Sequence, residues 1–362
     1  MVIEYVLPIL LFCLILVLFW LMPSWMPTDL PFGVRVPPER EQDPAIYATH
    51  SMYRRGLLIS AVLLALLSTL VGIFTSFFWI GTGSILVLVA LSSFNYYRAH
   101  RRLALVKAQE NWYAGLRQAV VADTEPHVQR PYFWLWLLPS LVLLLLMFSI
   151  GIARYPELPA TIPTHFNAAG EANAWTPKWP GAFYLPLLAT VLTSFFALVA
   201  WFIPGSRQAL NPINPVADKA RQQDQGQLWS AVLLLTGGFV NAGLLIAAFM
   251  TWQLLPANTL ITLLIFLITL CPILLIAIAA TVAAQRTRNL PHVANNGYVL
   301  RDDDRYWQAG LFYVNPDDPS LMVPKRFGIG WTLNFGHPQA RLLIFLFVVF
   351  MLVITFLPLI LR

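Results

Sequence analysis

The sequence contains eight apolar stretches that are each long enough to cross a membrane as a helix. The hydrocarbon core of a bilayer is roughly 30 Å thick, which about 20 helical residues span. The stretches are residues 2–22, 57–77, 79–97, 132–153, 183–203, 229–252, 259–283 and 342–361. Because a helix satisfies its own backbone hydrogen bonds in lipid, this pattern predicts an all-α integral membrane protein with eight transmembrane helices. The connecting segments are expected to form small ordered caps on both faces.

Positive charge lies almost entirely on one side of this arrangement. Of the 23 Lys and Arg residues, only Arg154, Lys178 and Arg362 lie on the other side. The remaining ones lie in the alternate gaps 23–56, 98–131, 204–228 and 284–341. Since basic loops stay in the cytoplasm, both termini and the loop 154–182 are expected on the outer face of a cytoplasmic membrane.

The low charge content excludes several classes of function. Hydrophobic residues make up 58% of the chain and charged residues 11%, against about 25% charged residues in soluble domains. The net charge of +6 follows from the basic inner loops, so the expected partner is the lipid bilayer and no nucleic acid. Cys13 and Cys271 lie inside apolar stretches and offer neither a disulfide framework nor metal ligands. Without a nucleophile elbow, a Walker loop or a zinc-protease motif, we expect no metal, no cofactor and no enzymatic activity.

The order of predicted elements repeats along the chain. Residues 1–153 and 183–362 each give a helix, a basic loop, a tight hairpin, a basic loop and a helix, with hairpin turns expected at 78–83 and 253–258. A parallel four-plus-four duplication and chance similarity among Leu-rich helices both account for this repeat. The chain divides into a first membrane half (1–153), an outer loop (154–182), helices five to seven (183–283), a cytoplasmic cap segment (284–341) and a last helix (342–362).

Five prolines between positions 156 and 180 deny the outer loop a regular helix and favour extended backbone. Gly170 suits a turn that requires positive φ.

For His165 two interpretations stay open. It either hydrogen-bonds the loop's own backbone, or it contacts a ligand or partner, since imidazole titrates near neutral pH. One histidine with the separated Glu157 and Glu171 is a poor match to a metal site.

Three segments of the chain carry recognisable motifs. The outer loop contains Leu158, Pro159, Ile162, Pro163, His165, Phe166, Asn167 and Gly170 in the order L-P-x-x-I-P-x-H-F-N-x-x-G. The inner side contains the segment 31–37 and the cytoplasmic cap residues Tyr306, Trp307, Gly310, Asn315, Pro316, Asp318, Pro319, Lys325 and Arg326. These motifs resemble those of a bacterial family of polytopic membrane proteins of unknown function. The outer loop is also similar to the corresponding loop of SdpI-type toxin-immunity proteins, so the resemblance implies a location in the bacterial cytoplasmic membrane.

The resemblance implies protection of the cell against a secreted peptide toxin or another envelope stress, with the outer loop as the contact for a peptide or lipid. The cytoplasmic cap would brace the protein from inside. Two alternatives stay open: a carrier for a lipid or other apolar substrate, and a regulator whose cytoplasmic segment docks a soluble partner. A carrier would need a cavity lined by Asn241 and by Thr190, Thr193 and Ser194. Asn241 also suits hydrogen bonding between helices, because the neighbouring glycines allow a close approach.

Overall fold

The structure is a computed structural model that describes residues 2–72, 77–121, 130, 132–167, 170–205, 210–288, 297–326 and 331–360. The described chain is mostly helical. Its helices are α1 (Val2–Trp25), α2 (Pro44–Gly72), α3 (Phe77–Gln109), α4 (Phe133–Arg154), the short α5 (Lys178–Gly181), α6 (Tyr184–Phe202), α7 (Pro215–Thr251), α8 (Thr259–Arg288) and α9 (Pro338–Ile360).

Six helical segments within the described residues are long and apolar enough to cross a membrane. They are Leu7–Trp25, Pro44–Gly72, Phe133–Glu157, Lys178–Phe202, Pro215–Thr251 and Thr259–Thr287. These segments overlap six of the predicted stretches, the stretch 79–97 lies in α3, and residues 342–360 lie in α9. The structure therefore supports a polytopic membrane protein, and the number of eight crossings stays a prediction.

Several helices extend beyond the apolar stretches on the basic side. α2 begins at Pro44, α3 continues to Gln109, and α7 begins at Pro215. The start of α7 has a clear cause, because the Asn214 side chain accepts a hydrogen bond from the Ala217 amide at 3.1 Å and Pro215 occupies the first helical position. The turn expected at 78–83 is wrong, since these residues belong to α3, whereas 253–258 does separate α7 from α8.

The helices pack in two groups. In one group α1 and α2 pack against α3; in the other, α4, α6 and α8 surround α7, and α1 contacts α8. The contact of α2 with α3 matches that of α7 with α8, as a duplication would require, but α4 packs against α6 and α7 across the predicted boundary between the halves. The duplication stays a prediction.

The caps contain short β strands beside short helical turns, so the all-α expectation is wrong outside the membrane helices. Four two-stranded sheets form there. They pair β1 (Arg117–Ala119) with β4 (Tyr298–Leu300), β2 (Thr161–Phe166) with β3 (Ala172–Pro177), β5 (Trp307–Gln308) with β6 (Phe312–Tyr313), and β7 (Met322–Pro324) with β8 (Trp331–Leu333). The β1–β4 pair is parallel and connects the second inner loop to the fourth, a link that local sequence patterns do not encode.

Candidate functional site

The predicted outer loop folds as an antiparallel hairpin of β2 and β3, and we refer to residues 158–181 as the outer hairpin. Pro163 in β2 faces Trp175 in β3, and the register shifts between Pro163 and Phe166. The extended backbone expected from the prolines is therefore present, but it is paired with a second strand. Proline is compatible with such a sheet because each of the two strands is an edge strand.

Apolar burial holds the outer hairpin on the helices. Ile162 is 0% exposed and Leu158 5% exposed, and both pack in one core cluster with Trp252 at the end of α7. The Trp252 indole donates a hydrogen bond of 3.0 Å to the carbonyl oxygen of Ala182, just beyond the hairpin. A side chain at Gly151 of α4 would come within 2.9 Å of the Trp252 ring. The Trp252 side chain, held in place by these contacts, thus supports the hairpin.

The turn of the hairpin is fixed by its own polar groups and by a neighbouring loop. The Asn167 side-chain oxygen accepts a hydrogen bond from the Glu171 amide at 2.9 Å, and its Nδ2 donates to the Glu171 carboxylate at 2.9 Å. Gly170 has φ of +84°, as the sequence predicted for a turn. A Cβ atom at Gly170 would lie 2.6 Å from the backbone of Asn258, between α7 and α8. Only glycine fits this contact.

The opposite face of the outer hairpin is open. His165 is exposed, and its Nδ1 atom shares a hydrogen bond with the side-chain oxygen of Asn173 on β3. Trp175 is 58% exposed and Trp179 66% exposed. Lys178 lies with its Nζ atom 4.9 Å from the centre of the Tyr155 ring. This face combines aromatic surface with polar groups, and it can meet either a peptide or lipid head groups.

The structure therefore sorts the residues of the outer motif into two groups. Leu158, Ile162, Pro163 and Gly170 are buried and build the hairpin, whereas Pro159 and His165 are exposed and Phe166 and Asn167 are half-buried. Within the described part of the hairpin, His165 bonds the side chain of Asn173 and not the loop's backbone, which was one of the two interpretations that the sequence left open. Among the described residues no three His, Cys, Asp or Glu side chains lie together as metal ligands would.

On the basic side three inner loops meet in a network of charges. We call this region the inner cap; it comprises residues 26–43, the end of α3 with β1 (99–119), and the described part of 297–337. Arg326 is 3% exposed, contacts the carboxylates of Asp303 and Asp304, and donates to the carbonyl oxygen of Gly33 at 3.0 Å. Its guanidinium also lies 5.0 Å from the centre of the Trp307 ring.

Two further cations complete this network. Lys107 on α3 bonds Asp304 at 2.6 Å and Asp302 at 2.7 Å. Arg35 bonds Asp303 through its side chain at 3.4 Å and Asp304 through its backbone amide at 3.0 Å. Burial by itself would raise the pKa of Asp304, but the charges of Arg326 and Lys107 outweigh it and hold that pKa below its usual value. The ionised carboxylates therefore link the three loops through ion pairs.

Close backbone contacts reinforce the inner cap. Gly33 has φ of +75°, and a Cβ atom there would lie 2.8 Å from the hydroxyl oxygen of Tyr96. Gly310 has φ of +68°, and a Cβ atom there would lie 2.9 Å from the Nδ1 atom of His100, which itself bonds the carbonyl oxygen of Phe32. The segment 31–37 and the cap residues, which the sequence singled out separately, thus form one structure.

An asparagine pair organises the rest of the cap segment. The Asn334 side chain accepts from the backbone amide of Asn315 at 3.1 Å and donates to the carbonyl oxygens of Asn315 at 2.8 Å and Asp318 at 3.1 Å. Tyr313 donates its hydroxyl hydrogen to Asp318 at 2.9 Å. Of the other cap residues proposed from the sequence, Tyr306 is half-buried, Trp307 and Gly310 are buried, and Pro316, Pro319 and Lys325 are exposed.

Sequence reasoning missed the partners of Arg326 and the role of Asn334. In the structure Asp302, Asp303 and Asp304 form ion pairs with Lys107, Arg35 and Arg326. These partners are far apart in the chain, so no local spacing indicates them. The one available signal was that an acidic run and two basic segments all lie on the same face.

Asn241 is fully buried among α4, α6 and α7. Its Nδ2 atom donates to the Thr193 hydroxyl at 2.8 Å and to the carbonyl oxygen of Ser140 at 3.3 Å. A Cβ atom at Gly237 would lie 3.0 Å from the Phe196 ring, so glycine permits the close approach of α7 to α6. Thr190 bonds the carbonyl oxygen of Pro186 in its own helix. This geometry is that of hydrogen bonding between packed helices, and Asn241 does not line an open passage.

Comparison with known proteins gives two matches, both to families without an assigned function. Residues 142–190 match the family model described as a domain of unknown function (DUF1648), and residues 316–341 match that of a family of unknown function (DUF5808). No curated protein and no solved structure matches the chain. The first match contains the outer hairpin with parts of α4 and α6, and the second contains the Asn334 side of the inner cap with the start of α9. The chain thus resembles families of unknown function at the two regions described above.

Proposed function

We propose that this chain is an eight-pass protein of the bacterial cytoplasmic membrane that protects the cell by binding a secreted peptide with its outer hairpin. In this proposal the inner cap holds the helix ends together from the cytoplasmic side. The role is binding and not catalysis. The similarity of the outer loop to SdpI-type immunity proteins suggests the kind of ligand.

The observation that carries the proposal is the division of the outer hairpin into two faces. One face is fixed on Trp252 by Ile162 and Leu158, which are almost completely buried. The other face leaves His165, Asn173, Trp175 and Trp179 exposed. A rigid scaffold that presents aromatic and polar side chains loses little conformational entropy on binding, which favours recognition of a peptide.

The proposed topology supports this role and can be tested separately. The remaining two crossings would be the stretch 79–97 in α3 and residues 342–360 in α9. With the basic loops inside, both termini and the outer hairpin would then lie outside. Single cysteines introduced at exposed positions would be labelled with a membrane-impermeant reagent in intact cells. Asn173→Cys should react in intact cells, and Lys325→Cys should react only after the cells are opened. The opposite pattern would overturn the orientation.

The functional test is growth of a deletion strain against a panel of secreted antimicrobial peptides. Wild type should restore resistance to one class of peptide, and the double variant His165→Ala/Trp175→Ala should not. Trp134→Ala in α4 is the matched control, because Trp134 is 69% exposed at the opposite end of the helices. All variants are compared at equal amounts of protein in the membrane. Full protection by the double variant would contradict the proposal.

A further inference from the structure

A half-open recess lies at the inner end of α4, outside both regions described above. Its walls come from the start of α4, from Pro204 after α6, and from Gln227 and Ser230 of α7. Arg130 lies at its mouth, with its Nε atom donating to the carbonyl oxygen of Trp201 at 2.9 Å. The Arg130 guanidinium also lies 4.1 Å from the centre of the Trp201 ring. These contacts fix the position of the cation.

Among the described residues, two polar side chains of the recess, Arg130 and Gln227, keep hydrogen-bonding groups available for a ligand. Within the described residues no carboxylate lines the recess or pairs with Arg130. The side-chain amide of Gln227 has no hydrogen-bond partner in the same part of the chain, whereas Ser230 already donates to the carbonyl oxygen of Ala200 at 2.9 Å. The start of α4 has no side-chain cap, so its positive end contributes further to an anion-attracting surface.

The surroundings of the recess are those of a membrane interface. Tyr132 is 60% exposed, Trp134 69% exposed and Trp201 42% exposed, which is typical of aromatic residues at head-group depth. The apolar helix faces below the recess offer a surface for acyl chains. A cation and an amide that meet no carboxylate among the described residues, above a lipid-facing surface, complement a phosphodiester that carries acyl chains.

We propose that this recess binds the head group of an anionic phospholipid of the inner leaflet, with Arg130 and Gln227 as its phosphate contacts. The proposal rests on the proposed orientation but not on the protective role. Bound lipid would connect α4 to α6 and α7 at their inner ends. The buried hydrogen bonds of Asn241 connect the same three helices nearer their middle.

The test uses the purified full chain, incubated in detergent with equal amounts of phosphatidylglycerol and phosphatidylcholine of the same acyl chains. Native mass spectrometry then counts the retained lipids. Wild type should retain phosphatidylglycerol in preference, and Arg130→Gln should reduce that preference about fivefold, the effect of one basic side chain near a lipid surface. Arg55→Gln is the matched control, since Arg55 is an exposed arginine of α2 on the same side and should not change the preference.

A second variant guards against misfolding of the first. Gln227→Glu keeps the contact of Arg130 with Trp201 but places a carboxylate in the recess, so it should also reduce the preference. Inorganic phosphate in large excess should not displace the lipid, because the acyl chains contribute to binding. A preference that stays at the wild-type level in either variant, or that falls equally in Arg55→Gln, would overturn the proposal. Displacement by phosphate alone would identify a free-anion site and would overturn it too.

Discussion

The outer hairpin and the inner cap are small β structures on different helix groups, since the hairpin packs against α4, α6 and α7 and the cap against α3, and different forces attach them. The outer hairpin is held by apolar side chains on Trp252, and the ion pair described there, Arg154 with Glu157, is exposed. The inner cap is held by Arg326 and Lys107, which are both buried and bound to aspartates. The first attachment depends on packing, and the second depends on charge.

The two kinds of attachment predict which substitutions each region tolerates. Apolar burial is not directional, so a smaller apolar residue weakens it in proportion to the volume lost. A buried charge network fails differently, because the removal of one ion leaves its partners desolvated and unpaired. We therefore expect the inner cap to be the more easily broken of the two regions and the outer hairpin to be the more adaptable.

The largest expected effect comes from Arg326→Ala. This change leaves Asp303 and Asp304 without the guanidinium that contacts both, which should cost about 4 kcal/mol of unfolding free energy. Lys325→Ala is the control, since the exposed neighbouring side chain should contribute less than about 0.5 kcal/mol. Thermal unfolding in detergent and protease cleavage within the inner cap measure both variants. Equal stability of the two variants would show that charge does not hold this region.

A slightly smaller effect is expected from Ile162→Ala in the outer hairpin. The Ile162 side chain is completely buried, and its truncation should cost about 3 kcal/mol through lost contact area and the resulting cavity. The exposed neighbour Thr161→Ala serves as the control. Ile162→Leu should recover most of the loss, because packing and not polarity fixes the hairpin. If Ile162→Leu were as unstable as Ile162→Ala, the contrast with the inner cap would disappear.

The same contrast explains how much of the molecule could be predicted from its sequence. Hydropathy located the helices, because each apolar stretch carries its own signal, and the prolines and Gly170 indicated an extended segment with a turn. Hydropathy misplaced the hairpin turn between the second and third helices, because α3 keeps its helical structure through residues 78–83.

The contacts within the inner cap could not be predicted from hydropathy or from local motifs. The pairing of Arg117–Ala119 with Tyr298–Leu300 and the bond of Arg35 to Asp303 depend on how the helices place distant loops beside one another. Short polar segments lack the periodicity that indicates their partners. Likewise, the sequence could single out His165 but not its bond to Asn173, which depends on a register shift in the hairpin.

A change of pH should destabilise the inner cap more than the outer hairpin, by less than the substitutions above. Folding lowers the pKa of Asp304 below its value in the unfolded chain. The ionised Asp304 therefore contributes its full stabilisation at pH values above the unfolded-state pKa, and this stabilisation is lost as the pH falls through the folded-state pKa. Acidification below about pH 4 should therefore loosen the inner cap before the outer hairpin. Hydrogen exchange, corrected for intrinsic rates between pH 7 and pH 3, follows both regions in one experiment. Faster exchange in residues 158–181 than in 297–326 would reverse this expectation.

The smallest structural effect is expected from His165→Ala. His165 is exposed and bonds only the Asn173 side chain among the described residues, so its loss should change the unfolding free energy by less than about 0.5 kcal/mol. Thermal unfolding should therefore leave His165→Ala and wild type nearly superimposed, while Ile162→Ala is clearly shifted. A loss of peptide protection by this stable variant would assign the open face to ligand binding, because no packing defect could account for it. If His165→Ala instead destabilised the hairpin as much as Ile162→Ala, the division into a packed face and an open face would be wrong, and the outer hairpin would depend on polar contacts as the inner cap does.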